Sequence, residues 1–246
     1  MNFERINPIW LEETDSTNAE AMRMLKQGRP TEGSCVVARF QHEGRGQRSN
    51  VWTSPPGENL LISFILYPPK SAVPSPFLLS KALALAVHQT LVAFTRKVVH
   101  IKWPNDILVD GKKAAGILLE NQWLGAQWQA AVAGIGINVN QKKFILENAT
   151  SVMQGLEEVL ALELVIAELQ RQLSFTYKLF CDGDSSAINA AYHHHLFGKN
   201  EFLRYSSEKG ELRGKVVQVL DDGQLELITD NGIKNSYDLS EVRLIF

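Results

Sequence analysis

The stretch Ile107-Leu108-Val109, Asp110-Gly111, Lys112 to Glu120 narrows the choice of folds more than any other part of the chain. Asp-Gly between two apolar runs is a type I′ hairpin signal, because both central residues of that turn take positive φ. At least part of the sheet is therefore antiparallel. Just upstream, Val98 to Lys102 reads as a strand ended by Trp103-Pro104. Proline holds its predecessor extended and cannot continue a central ladder, so Asn105 and Asp106 emerge at a bend. Further strands are expected at Trp10 to Thr14, Ser34 to Phe40, Leu60 to Tyr67 and Gln127 to Asn140. Helices are expected from Thr17 to Gly28, opened by a Thr17/Glu20 capping box, from Phe77 to Phe94, and from Leu156 to Phe180, where leucines recur at helical spacing. This mixture predicts an α/β fold, α+β in stricter usage: a mixed sheet flanked by helices.

From Glu201 the texture changes. Glu211 to Leu220, Gln224 to Thr229, Ile233 to Asp238 and Val242 to Phe246 are separated by turns at Asp221-Asp222-Gly223 and Asp230-Asn231-Gly232. That is the pattern of a β-meander able to close as a small barrel. A boundary near Gly198-Lys199-Asn200 divides the chain into residues 1–198 and 199–246.

A chain of 246 residues with 45% hydrophobic content is long enough for one large core and a small one. Its formal charge of −2 argues against a general nucleic-acid binder, so any basic site must be local. The first eight residues carry no apolar signal region, and Cys35 and Cys181 fit no CxxC spacing. Both observations predict a cytoplasmic protein with reduced thiols. Phe77 to Phe94 is interrupted by Ser80, Lys81, His88, Gln89 and Thr90, which makes it a core helix rather than a membrane span. His193-His194-His195 point in divergent directions on any regular element, so they read as a solvated or partly packed cluster, not a metal site.

The chemistry gathers at strand ends. In Gln41 to Trp52, Gly44 and Gly46 are expected to allow positive φ and close backbone approach, while Arg45 and Arg48 add guanidinium forks; the loop is either an anion cradle or a solvated basic turn. Ser16 and Thr17 lie at a helix N-terminus, where Thr17 caps and Ser16 stays free for a polar ligand. Alternating glycines in Gly134-Ile135-Gly136-Ile137-Asn138 imply either a bulge or a close approach to the strand face. Arg45, Arg48, Lys102 and Lys113 offer cations for phosphate, Asp106 a carboxylate for a metal or an amine, and Asn138 an amide for a base edge.

Taken in order, these motifs resemble the biotin–protein ligases over nearly the whole chain. The resemblance rests on Asp15-Ser16-Thr17-Asn18, Gly44-Arg45-Gly46, Trp52-Thr53-Ser54-Pro55, Lys102-Trp103-Pro104-Asn105-Asp106, Lys113-Ala114-Ala115-Gly116-Ile117-Leu118-Leu119-Glu120 and Gly134 to Asn138. It implies a class II synthetase-like catalytic region followed by an SH3-like barrel. By the same resemblance, Ser16, Thr17, Gln41 and Arg45 hold the biotin head, and Gly116, Gly134 and Gly136 let the backbone line its pocket. Lys102 holds the biotin carboxylate and α-phosphate, Lys113 the phosphates, Arg45 and Arg48 the adenylate, and Asn138 the adenine. Arg45, Lys102, Lys113 and Asp106 form the implied catalytic set, with Asp106 either orienting the acceptor amine or binding Mg²⁺. Trp52 and Trp103 are either pocket wall or core.

The implied reaction is ATP-dependent: biotin becomes biotinyl-AMP and is then passed to a lysine of a biotin carboxyl carrier protein. No DNA partner is expected, since only Met1 to Ile9 precede the first strand of the catalytic region, and sheet-edge strands are available for a homodimer. Two departures stand out, Gln47 where the family commonly has a second arginine and Ser49 where it has glycine, so Arg48 is expected to take up part of the missing cation's role. The competing readings are a lipoate–protein ligase, whose usual glycine-rich loop this chain lacks, and a biotin-sensing module, which would not need Lys102, Lys113 and Asn138.

Overall fold

The computed structural model describes residues 2–48, 50–69, 75–199, 201–208 and 210–245, so Ser49 and Asn200 lie outside the described residues. A short 3-10 turn, Phe3–Arg5, precedes β1 (Ile9–Thr14), α1 (Thr17–Gln27), β2 (Cys35–Gln41) and β3 (Leu60–Leu66). Then come α2 (Pro76–Phe94), β4 (Val99–Lys102), β5 (Asp106–Val109), β6 (Lys112–Leu124), β7 (Gln127–Ile137), α3 (Leu162–Cys181) and α4 (Ser185–His194). These strands form one seven-stranded sheet in the order β1-β2-β3-β7-β6-β5-β4. Only the β1/β2 pair is parallel. The mixed sheet with flanking helices is the expected architecture, and the Asp110-Gly111 turn has both central φ positive, at 48° and 76°.

Alternation along β3 divides the molecule. Leu60, Ile62, Phe64 and Leu66 enter the main core, against which α2 and α3 pack, whereas Ile65 joins Ala21 and Val132 beneath α1. Ser63 belongs by period to the α1 face, where an apolar side chain would be the default. That polar exception marks the site described below. Among the described residues α2 is long and apolar enough to cross a bilayer, with mean hydropathy 1.6, but most of it is buried in this core.

The second sheet, order β11-β10-β9-β8-β12, comprises β8 (Leu203–Ser207), β9 (Gly210–Val219), β10 (Leu225–Thr229), β11 (Lys234–Tyr237) and β12 (Val242–Leu244). All its pairings are antiparallel. Every strand of the first sheet ends before residue 198, yet the buried apolar cluster runs unbroken from one sheet into the other. Lys81, 1% exposed, fastens the two: its ammonium donates to Asn189 Oδ1 at 2.8 Å, Val219 O at 2.9 Å and Leu220 O at 3.3 Å. The Trp103 indole adds a bond to Gly223 O at 2.9 Å.

Several boundaries differ from the sequence reading. The third helix begins at Leu162 rather than Leu156, because Asn140 and Leu160 exchange two hydrogen bonds of 2.9 Å that hold the preceding segment extended. Strand β7 ends at Ile137, before Asn138 to Asn140. Helix α4 was not expected; Asp184 caps it by accepting from Ala187 N at 3.0 Å. Its last turn carries His193, which accepts from Val219 N at 2.9 Å, and the His195 ring lies 4.1 Å from that of His88. Among the described residues, no group of three or more His, Cys, Asp or Glu side chains could hold a metal ion.

Candidate active site

A cleft of about 810 Å³ opens on the α1 face of the large sheet and continues to the second sheet. Its polar wall is the start of α1 with the end of β2. The capping box expected of Thr17 and Glu20 is not formed. Ser16 is the N-cap but makes no side-chain cap bond, Thr17 is the first helical residue, and Glu20 pairs with Arg23 at 2.6 Å. Gln41 Oε1 accepts both the Thr17 backbone N–H at 2.7 Å and, at 3.0 Å, the Thr17 hydroxyl. Ser16, Thr17 and Gln41 thus meet in one wall, with Ser16 and Thr17 2% and 4% exposed.

The loop after β2 folds back on itself as a narrow hairpin. Arg45 bridges Val51, Gly46 N donates to Asn50 O at 2.7 Å, and Trp52 N donates to Gly44 O at 2.9 Å. The positive φ expected of Gly44 and Gly46 is found instead at Arg48, with φ 56°. Gly44 is required for proximity: a Cβ there would lie 2.2 Å from the Trp52 carbonyl oxygen. The loop therefore keeps Arg45, Gln47 and Arg48 in the cleft wall.

This hairpin delivers the Trp52 indole onto the strand glycines. A Cβ on Gly136 would lie 2.5 Å from the indole, and one on Gly116 3.0 Å from it. The alternating glycines thus permit a close approach, as one of the two readings required, and the approaching groups are the protein's own Trp52 and, at Gly134, Asn18. Trp52 is pocket wall rather than core, and its indole N–H is buried without a partner.

The cationic end is built by the β4–β5 hairpin and β6. Trp103, Pro104 and Asn105 turn the chain so that Lys102 and Asp106 are register partners, and β6 returns Lys113 to the same place. Asp106 Oδ2 takes Lys102 Nζ at 3.0 Å and Oδ1 takes Lys113 Nζ at 2.6 Å. Two ammoniums share one carboxylate, leaving a net positive triad. Both Asp106 oxygens face ammonium groups, and no group of three or more His, Cys, Asp or Glu surrounds it among the described residues, so a Mg²⁺ held by Asp106 would draw its other ligands from the phosphates of ATP and from water. The same pairing makes Asp106 the anchor that holds Lys102 and Lys113 together.

Asn138 does not join the cleft. Its amide nitrogen donates to Thr150 O at 3.0 Å in a buried position, fastening the segment after β7. Three residues behind the polar wall had no role assigned from the sequence, although Asn18 and Glu120 stand within its motifs. Asn18 donates to Glu120 Oε2 at 2.7 Å, and Ser63 lies 2.6 Å from Asn18 Oδ1. The signal available for Ser63 was a lone hydroxyl inside the apolar run Leu60 to Leu66.

Residues 10–138 match the Biotin/lipoate A/B protein ligase family. A curated relative, the bifunctional ligase/repressor BirA of Bacillus spizizenii, is 34% identical over 236 residues, covering 93% of this chain and 71% of the relative. The chain belongs to the biotin/lipoate A/B protein ligase family. A biotin–[acetyl-CoA-carboxylase] ligase of Paracoccus denitrificans is 42% identical over 132 residues, 52% of this chain and 53% of its own. The solved biotin protein ligase of Aquifex aeolicus in complex with biotin and ATP superposes with a TM-score of 0.79 at 28% identity, covering 97% of this chain and 98% of that one. Family, fold and enzyme class therefore agree with the resemblance carried by the motifs.

Proposed function

We propose that this protein activates biotin with ATP to biotinyl-5′-AMP and passes the biotinyl group to a lysine of a biotin carboxyl carrier domain. The observation that carries the reading is the convergence, in one cleft, of the Ser16/Thr17/Gln41 wall, the Arg45 loop and the Lys102–Asp106–Lys113 triad. Its relatives' names, which speak of biotin and of a carboxylase, point the same way.

Activation requires a carboxylate to attack a phosphate, so two anions must be brought together. Lys102 and Lys113 supply fixed positive charge for both, which lowers the barrier by preorganisation. Arg45 and Arg48 extend that field over the adenylate and its departing pyrophosphate. Asp106 holds the two ammoniums near each other at a separation that they would not otherwise keep. In the second step an unprotonated acceptor amine attacks the acyl carbon and AMP leaves. With Asp106 between two lysines, solvent rather than Asp106 removes the amine's proton. Residues 1–198 would carry ligand binding, and the unit formed by residues 199–246 would flank the acceptor's entrance through Ser206, Glu241 and Arg243, which line the same cleft.

Biotin-dependent exchange of labelled pyrophosphate into ATP tests the activation step alone. The reading predicts exchange with biotin and none with lipoate; exchange with lipoate only would assign the chain to the other branch of the family.

A further inference from the structure

We propose that Glu120 is a positioning residue that sets the proton order of a buried relay and so tunes the polar wall for a ligand presenting N–H donors. The inference rests on biotin occupying this cleft and deepens that reading to the choice between biotin and lipoate. The relay runs through Asn18, Ser63 and Thr17, which are 3%, 0% and 4% exposed. Asn18 Nδ2 donates to Glu120 Oε2 at 2.7 Å and faces Leu118 O at 3.4 Å. Both partners only accept, so the amide nitrogen must face them and Oδ1 must face the opposite way. There Oδ1 accepts from the Ser63 hydroxyl at 2.6 Å, and Gly134, lacking a Cβ that would fall 2.1 Å away, leaves it room.

Ser63 has one proton, and Asn18 takes it. The 2.7 Å contact between the Ser63 and Thr17 hydroxyl oxygens therefore has Thr17 as its donor, with Gln41 Oε1 at 3.0 Å as the alternative acceptor of the same proton. In either orientation the Thr17 proton points into the wall, and the remaining lone pair is left for the cleft. A carboxylate at the far end polarises every bond of the chain in the same sense and makes that oxygen a better acceptor. The cyclic urea of biotin offers two N–H groups to such an oxygen. The dithiolane ring of lipoate offers none, so the relay favours biotin by a hydrogen bond that lipoate cannot make.

Titration calorimetry with biotin and with lipoate, on the wild type, Glu120→Met and Glu120→Gln, tests the relay. Methionine keeps the length of the side chain without a strong acceptor, whereas glutamine can still accept from Asn18. The expected result is a roughly tenfold loss of biotin affinity in Glu120→Met, the size of one hydrogen bond. Glu120→Gln should stay near wild type, and the KM for ATP and kcat at saturating biotin should hold in both, while the melting temperature falls modestly in Glu120→Met alone, where the Asn18 amide loses its carboxylate acceptor. Unchanged biotin affinity in Glu120→Met would overturn the relay. Equal losses in both variants, accompanied by a lower melting temperature, would overturn it in favour of a merely structural carboxylate. A wild type that binds lipoate and not biotin would instead overturn the functional reading, and the relay with it.

Discussion

Asp106→Asn separates a carboxylate that positions lysines from one that acts as a base. The substitution removes the charge between Lys102 Nζ at 3.0 Å and Lys113 Nζ at 2.6 Å while keeping the side chain's shape. With an effective dielectric near 20, each attraction is worth about 4 kcal/mol at ~4 Å, and two ammoniums roughly 6 Å apart repel by about 3 kcal/mol. Most of that is screened or relaxed, since the Lys113 side chain is 38% exposed and can swing into solvent. What remains is lost positioning of about 1–2 kcal/mol, a slowing of roughly 5- to 30-fold. Rapid-quench measurement of pyrophosphate release, beside transfer from preformed biotinyl-AMP to a carrier domain, separates the steps. Activation should slow by that factor and transfer should change by less. If activation stayed intact while transfer fell by about 100-fold or more, the range for a lost general base, the positioning argument would be refuted.

Three further perturbations follow from the packing. Gly134→Ala would place a Cβ 2.1 Å from Asn18 Oδ1 and break the relay, so the melting temperature should fall by about 4–10 °C, from about 2–3 kcal/mol of overpacking and lost hydrogen bonds. Biotin affinity should fall with it, and an unchanged melting curve would contradict the close contact. Lys81→Met removes the ammonium that donates to Asn189 Oδ1, Val219 O and Leu220 O and should cost about 2 kcal/mol in urea unfolding with no change in KM for biotin; a raised KM would mean that the junction reaches the site. Burial, aided by the neighbouring His195, lowers the His88 pKa to about 4. The unfolded chain therefore takes up a proton below about pH 6.5 that the folded chain refuses, and stability should decline as pH falls from 6.5 toward 4, by up to about 3 kcal/mol. His100, His193 and His195 are lowered in the same sense, so His88→Leu should flatten the pH dependence of the urea midpoint only in part; an unaltered slope would exclude His88 as a contributor.

Much of the sheet was legible because its signals are local. Asp110-Gly111 takes the positive φ pair that a type I′ turn needs, and Trp103-Pro104 turns the chain where proline cannot continue a ladder. The ordered motifs also located the cleft, where Ser16, Thr17, Gln41, Arg45, Lys102 and Lys113 meet. What escaped the sequence depends on register and on distant partners. No local pattern reveals that Asn138 fastens Thr150, that Arg48 rather than a glycine takes positive φ, or that both oxygens of Asp106 are occupied by lysines. The start of α3 was misplaced for the same reason, since the pair of bonds to Asn140 spans 20 residues. The Asn18–Ser63–Glu120 relay links three elements across the α1 face and is visible only once β3, β6 and α1 are side by side.

The most direct test of the central claim is intact-mass analysis of an apo biotin carrier domain incubated with this protein, MgATP and biotin, beside parallel samples with Lys102→Ala and with lipoate. The account predicts a biotinyl mass gain that needs biotin, ATP and Lys102. A carrier left unmodified by the wild type, despite tight biotin binding, or modified by lipoate instead, would contradict it.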